Sequence, residues 1–409
     1  MNIRAILSVL VIGASLSLVG CFPGVRVAAT RSQNLPPAPG LVLMSANQGE
    51  PWAFATDVDG KVRWNYAFES HSGSYQPQPI QPLPNGNLIV VAAHESGIAP
   101  CSHCPARNAI YEIDVAGNTI WHMTNQQLQA ALAQAGYKVT LAQISHETIG
   151  LTNGHLLVLA SNLRKVPGHR EEIQGAVIID LDQDHRPVWV WDAFDHLDVN
   201  RHPYFKLPDW IHGNAITYSR DDGNLLFSTR HQSWVIKIDY QNGRGSGAVL
   251  WRLGYEGDFK LLNGGPADWF YGQHAPIFLT PNTTGVFQLG LFDNGNGRVV
   301  DASGAHCGTK GQPACYSTIP IFEIDEAHRT ARLVWRDTLP FFSLAVGNMQ
   351  VLDNGNVWFN AGDIKRKTII REVTRETPPQ TVLEMRVNTI IYRAIHLPEE
   401  ALRVPPNAP

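Results

Sequence analysis

His146-Glu-Thr-Ile-Gly-Leu-Thr-Asn-Gly-His-Leu-Leu-Val-Leu159 reads as a strand, a tight turn and a second strand. Asn153-Gly154 makes the turn, because the two-residue hairpin that matches strand twist needs positive φ, and Asn-Gly supplies it at little steric cost. The unit recurs. Upstream it is Gln78-Pro-Ile-Gln-Pro-Leu-Pro-Asn-Gly-Asn-Leu-Ile-Val-Val91. Downstream it is His212-Gly-Asn-Ala-Ile-Thr-Tyr218 followed by Asp221-Asp-Gly-Asn-Leu-Leu-Phe-Ser228. A fourth copy opens at His274 and turns near Pro281-Asn282, and a fifth is Gly347-Asn-Met-Gln-Val-Leu-Asp-Asn-Gly-Asn-Val-Trp-Phe359.

A second unit follows most of these hairpins: an x-Ile-Asp strand end, a glycine-bearing turn and a strand with tryptophan. Tyr111-Glu-Ile-Asp114 leads to Trp121, Ile178-Ile-Asp180 to Trp189, Ile236-Lys-Ile-Asp239 to Trp251, and Phe322-Glu-Ile-Asp325 to Trp335. Asp57-Val-Asp-Gly-Lys-Val-Arg-Trp64 fits the pattern, and Val382-Leu-Glu-Met385 is a degenerate version. Two hairpins make a four-stranded blade, and about six outer strands can be counted. Blades of this regularity close into a ring, which removes exposed sheet edges. The expected fold is therefore all-β: a six-bladed β-propeller over residues 41–395 with short helical and loop insertions. The segment from Leu41 to Phe54 is expected to close the ring with the C-terminal blade. The tryptophans are read as fillers between blades.

Two insertions interrupt the pattern. Thr124 and Gln127 are spaced as a capping box and Gly136 as a stop, which predicts a short helix. Trp191 to Trp210 is a polar loop holding Asp192, Asp195, His196, Asp198 and His202. Those residues lack standard metal-ligand spacing, so a solvated lid is preferred to a metal site.

Residues 1–20 read as a signal peptide: one basic residue, an apolar run, then Leu18-Val19-Gly20-Cys21. The last four resemble a lipobox, which makes Cys21 the expected lipid attachment point; an ordinary signal peptide with a chance cysteine is the alternative. Residues 21–40 are expected to be a Pro-rich membrane tether and 396–409 a tail. The expected location is the bacterial cell envelope, anchored by lipid and facing the periplasm. Phe22 supplies no aspartate retention signal, which favours the outer membrane. A formal net charge of -4 gives no support for nucleic-acid binding.

Setting Cys21 aside, four of the five cysteines remain, an even number that suits disulfides in an oxidising compartment. Local spacing favours Cys101–Cys104 and Cys307–Cys315. A zinc site from His94, Cys101, His103 and Cys104 is the sharper alternative, and the loop disulfide is preferred to it.

His146, His212 and His274 each open the first strand of their hairpin and lie 66 and 62 residues apart, about one blade each. Ring symmetry should gather them at one end of the central channel. In an antiparallel pair the end of the second strand sits beside the start of the first. Arg230 should therefore share the rim with His212, and Asp293 and Asn294 should lie near His274. Gln78 and Gly347 hold the matching place in neighbouring blades. Three imidazoles, a guanidinium and amides suit a tetrahedral oxyanion. A His₃ zinc site is possible in principle, but Arg230 argues against an adjacent cation.

Asp209-Trp-Ile-His-Gly-Asn214 followed by Ser228-Thr-Arg-His-Gln-Ser233 resembles the bacterial PAPS-independent aryl-sulfate sulfotransferases (arylsulfotransferases, ASST). Gly272-Gln-His274 with Leu291-Phe-Asp-Asn-Gly295 does so too, as does Ser145-His146 before its hairpin. The resemblance implies a periplasmic six-bladed propeller that moves a sulfuryl group from a phenolic sulfate ester to a phenolic acceptor. It implies His274 as nucleophile through a sulfohistidine, with His146, His212 and Arg230 binding the sulfuryl oxygens and assisting the phenols. Asn214, Asp293 and Asn294 complete the expected substrate-binding set. Such ping-pong chemistry calls for no nucleotide donor, cofactor or metal. The residue after His274 is Ala275, so no adjacent carboxylate orients the imidazole. The competing readings are a non-catalytic envelope propeller that binds a partner or anionic ligand, and a zinc hydrolase built on the same histidines.

Overall fold

The computed structural model describes residues 24–46, 52–67, 75–94 and 108–403. The expected sites at Cys21, Cys101, His103 and Cys104 lie outside them. The strands form six separate sheets, one per blade, antiparallel except for the short edge strand Lys260–Leu261, which pairs parallel in the fifth. The inner strands are Tyr75–Pro82, Leu141–Gly150, Gly213–Tyr218, His274–Phe278, Asn348–Val351 and Ile391–Leu397. Each touches the next, and the last touches the first, so they enclose a channel. This is the expected six-bladed propeller.

Ring closure joins the two ends of the fold. In the first blade Leu41–Ala46, Trp52–Asp57 and Val62–Ala67 come from the N-terminal side, while the inner strand Ile391–Leu397 comes from the C-terminal side. Leu41 pairs with Leu397 and Leu43 with Ile395. This is the closure expected from the Leu41–Phe54 segment.

The outer-strand tryptophans act as read. Each packs at a blade boundary, and four donate the indole N–H forward to the next blade. Trp64 reaches Val115 O at 2.9 Å, Trp189 reaches Gly245 O at 3.3 Å, Trp251 reaches Glu326 Oε1 at 2.7 Å and Trp335 reaches Glu376 O at 3.1 Å. Trp121 stacks on His185 instead, with 3.9 Å between ring centroids. The indole fills the apolar seam while its polar edge is satisfied across it.

The helix forms at Asn125–Gln134, with the reciprocal Thr124–Gln127 capping box and Gly136 at φ 86° past its end. Cys307 and Cys315 form a disulfide.

Three boundaries differ from expectation. Val27–Arg31, inside the expected tether, is a fifth strand on the sixth blade and pairs antiparallel with Thr381–Val387. Val27 is buried there, an apolar anchor that the weight given to Pro36, Pro37 and Pro39 obscured. At the other end the inner strand runs to Leu397, and Leu402 packs into the core of the first and second blades, so the tail begins later than expected. The Trp191–Trp210 loop is pinned rather than merely solvated. Asp192 accepts from Asn162 and Arg164, His196 stacks on Trp191, and Arg201 lies 3.6 Å above the Trp234 ring. These polar groups are spent on the fold.

Candidate active site

Every inner strand that carries a candidate residue is irregular at its channel end. Ladder register breaks beside His146, after Gly213 and after His274. The backbone turns left-handed at His146 (φ 60°), His212 (φ 45°), Ala275 (φ 48°) and Val346 (φ 55°). Bulges re-aim side chains, and this strain, about 1–3 kcal/mol per residue, is typical of sites that must hold a group off the regular lattice. In these three blades the bulges fall at matching places beside the candidate histidines.

The set converges as the spacing predicted. Tyr392 stands edge-on to both His146 and His274, with centroid distances of 6.0 and 6.4 Å. His146 Nε2 lies 3.2 Å from His212 Nε2. Arg230 N donates to His212 O at 3.2 Å, which puts the guanidinium on the rim expected from strand pairing.

Hydrogen bonds fix the tautomer of His274. Asn294 Nδ2 donates to the carbonyls of Ser343 and Val346, both at 3.0 Å, so Asn294 Oδ1 faces the ring. His274 Nδ1–H donates to it at 2.6 Å. The Val346 N–H reaches Nε2 at 3.3 Å, as it can only if Nε2 carries the lone pair. Burial, with Arg230 nearby, holds the His274 pKa well below its ordinary value, so the ring is neutral. Asn294 thus supplies the orientation that an adjacent carboxylate would otherwise give.

Arg230 is buried, and burial lowers its pKa to about 10, which leaves it cationic. It donates to His231 Nε2 at 2.9 Å and to Leu344 O at 3.3 Å, and packs over the Phe205 ring. Its Nε has no partner among the described residues, and neither does the buried hydroxyl of Tyr392 or His146 Nδ1. Burial raises the Tyr392 pKa, which keeps that hydroxyl a donor.

The amides and the carboxylate of the expected substrate-binding set each carry hydrogen bonds of the fold. Asp293 is fully buried and ion-paired with Arg298, and it accepts from Tyr271 N, Gly295 N and Thr318 Oγ1. Its acceptor capacity is used up. Asn294 orients His274 as described. Asn214 Nδ2 donates to Gln273 O at 2.8 Å, which spends its donor on the neighbouring blade.

Four residues were not singled out from the sequence. Tyr392 and Arg393 enter on the inner strand of the first blade. Glu147 follows His146 and receives Arg393, Gln81 Nε2 at 2.6 Å and Ile216 N at 2.6 Å. That network ties the inner strands of four blades together across the channel. His231 is neutral, because it accepts from Arg230 at Nε2 and donates from Nδ1 to Asp209 O at 2.7 Å. Asp209, His212 and His231 are grouped closely enough to suggest a metal, with candidate ligand atoms within 4.8 Å. Both ring nitrogens of His231 are already engaged and a guanidinium adjoins it, so the donor set does not fit a cation.

The buried neutral histidines make stability depend on pH. Burial, followed by His212, lowers the His231 pKa from 6.5 to about 3, and His274 is depressed too. The unfolded chain takes up these protons below about 6.5 and the folded chain does not. Stability is therefore full above pH 6.5 and is lost as pH falls, by up to about 1.4 kcal/mol per pH unit for each histidine. Asp209, whose carboxyl is raised by burial, works in the opposite sense in the carboxylate range. Urea unfolding at pH 7.5 and pH 5 should show the loss, and equal stabilities would refute neutral burial.

The sequence profile of the arylsulfotransferase (ASST) family matches residues 27–393. The arylsulfate sulfotransferase AssT of Escherichia coli O6:H1 is 28% identical over 84% of this chain and 65% of its own length. Its namesake from Lelliottia amnigena is 24% identical over 70% of this chain and 52% of its own. The chain thus spans about half to two thirds of the length of these relatives. Among solved structures, the periplasmic gluconolactonase PpgL of Pseudomonas aeruginosa superposes with a TM-score of 0.47 at 13% identity, over 88% of this chain and 99% of that one. On the profile match across the whole propeller, the chain belongs to the arylsulfotransferase family.

Proposed function

We propose that this protein transfers a sulfuryl group from a phenolic sulfate ester to a phenolic acceptor through a sulfohistidine at His274, without a nucleotide donor. The observation that carries the reading is a neutral His274 with its Nδ1–H tied to Asn294 Oδ1 and its Nε2 bearing the lone pair, held by a long 3.3 Å bond from Val346 N–H that the attack on sulfur would release, beside a buried Arg230. In the first half-reaction Nε2 attacks sulfur, the N–S bond forms and the S–O(aryl) bond breaks. In the second, the acceptor oxygen attacks sulfur and the N–S bond breaks. Dividing the transfer lets each half use the same fixed donors. Arg230 Nε and the Tyr392 hydroxyl are buried donors without partners among the described residues, which suits sulfuryl oxygens that gain charge in flight.

The surroundings suit aromatic substrates. Phe205 stacks on His231 at 4.1 Å and lies against Arg230, and the exposed Tyr204, Leu207 and Leu344 are close to these two in sequence or by hydrogen bonding. A cavity of about 120 Å³ beside the lid is lined by Arg201, Tyr204, Tyr255, Tyr271 and His306 among others. The lipid anchor at Cys21 and the periplasmic location belong to the same proposal, since an envelope enzyme would meet phenolic esters from outside the cell.

The test is mass spectrometry of the protein quenched after brief exposure to para-nitrophenyl sulfate. The expected result is a sulfuryl-sized adduct on the peptide that contains His274, discharged by added phenol. Turnover with no adduct at any quench time would refute the covalent route. No turnover with any aryl sulfate would favour the binding-only propeller.

A further inference from the structure

Asp209, His212 and His146 form a hydrogen-bonded row that ends at an unpartnered nitrogen. Asp209 Oδ2 meets His212 Nδ1 at 2.5 Å, His212 Nε2 meets His146 Nε2 at 3.2 Å, and His146 Nδ1 has no partner among the described residues. Both ring nitrogens of His212 are engaged within the row, so His212 acts on substrate only through His146. We propose that this row is a proton relay for the phenol oxygen, with His146 the catalytic acid and base and Asp209 a positioning residue and terminal proton acceptor. The inference rests on the sulfohistidine reading.

The relay has two states one proton apart. In the first, Asp209 is ionised and accepts from His212 Nδ1–H. His212 Nε2 accepts from His146 Nε2–H, and His146 Nδ1 offers a lone pair. When an acceptor phenol attacks the sulfohistidine, its proton goes to His146 Nδ1. The His146 Nε2 proton passes to His212 Nε2, and the His212 Nδ1 proton passes to Asp209. The second state holds two neutral imidazoles and a neutral carboxylic acid. In the next donor half-reaction the row runs backwards, and His146 Nδ1–H protonates the departing aryl oxide. Atoms and charge balance over the cycle, and no co-reactant is needed.

The surroundings favour passing the proton to the end of the row. Burial first, then the neighbouring His212, Arg230 and Arg393, oppose an imidazolium at His146 and outweigh the Asp209 carboxylate. Asp209 is buried, and its Oδ1 has no partner among the described residues, so its negative charge is poorly solvated. Burial raises its pKa while it lowers that of His212 to about 3, so each group is driven toward its neutral form. A simple orienting aspartate, solvated by several donors, would remain ionised throughout.

The experiment separates the two halves with Asp209→Asn. An asparagine amide can donate to His212 Nδ1 but cannot take its proton, so the row loses its terminus with little change in shape. Para-nitrophenyl sulfate has a leaving group that departs without a proton. Adduct formation from it should stay within about threefold of the parent rate, which also reports that the variant is folded. Discharge of the adduct by phenol should fall about 10²–10³-fold, the scale of general acid–base catalysis, while discharge by a strongly acidic phenol falls much less. Asp209→Glu should restore part of the loss. His146→Gln, which leaves Asp209 and His212 paired, should slow discharge by phenol at least as much as Asp209→Asn and provides an independent arm. Equal slowing of both halves, or none of either, would overturn the relay. Absence of any adduct in the parent protein would instead indict the sulfohistidine reading.

Discussion

On the proposed mechanism His274→Ala should abolish turnover of aryl sulfates, with a loss of about 10⁴-fold or more, because the atom that would form the N–S bond is gone. The geometry makes this a chemical effect more than a structural one. The ring is held by Asn294 at one nitrogen, and the Asn294 amide keeps its own bonds to Ser343 O and Val346 O after the ring is removed. The bulge at Ala275 is set by the backbone and does not need the imidazole. Cavity formation should cost a few kcal/mol at most. Steady-state release of nitrophenol, paired with a thermal melt, makes the check. Retention of activity in a folded alanine variant would show that another group attacks sulfur.

The largest effect on stability is expected at Glu147 and Arg393, whose ion pair is 2% and 8% exposed. Glu147→Ala leaves the Arg393 guanidinium in the channel with Asn214 O, at 3.3 Å, as its remaining acceptor among the described residues. It also strips the acceptor from Gln81 and from the backbone of Ile216. Breaking a buried pair by removing one partner costs about 3–5 kcal/mol, or roughly 4–6 °C in melting temperature at this chain length. Removing both charges should be milder, because no lone ion is left behind. Glu147→Met with Arg393→Met should therefore melt above Glu147→Ala. Single variants within about 1 kcal/mol of the parent would show that the channel network is solvated and dispensable.

The blades were legible because their information is local. A hairpin declares itself by a short turn signal between apolar runs, and five blades repeat the statement. The phase argument then placed His146, His212, His274 and Arg230 without long-range information. It stopped at the first blade, whose inner strand is not part of a hairpin: Leu397 pairs with Leu41, and no turn signal joins them. Tyr392 and Arg393 sit at the start of that strand, in the same phase as the histidines, so extending the register to the C terminus would have found them. Asp209 carries a milder signal, being three residues before His212 and able to reach its Nδ1. The roles of Asp293 and Asn294 could not be told apart from sequence. Both stand at the rim, and only Arg298, five residues beyond Asp293, draws one of them into the structure.

The first blade also sets the order in which competence is acquired. Its inner strand contributes Tyr392 to the pocket and Arg393 to the bond network beneath it, and that strand is the final one in the chain. A ribosome or export channel delivers residues in sequence, so five blades can be present while the pocket still lacks a wall. The pairing that completes it spans nearly the whole chain and carries a large loop-closure entropy, which makes it a late step in folding. Under the proposed function, activity would therefore begin only when the two ends of the propeller meet, and an unfinished chain would lack the wall that completes the pocket.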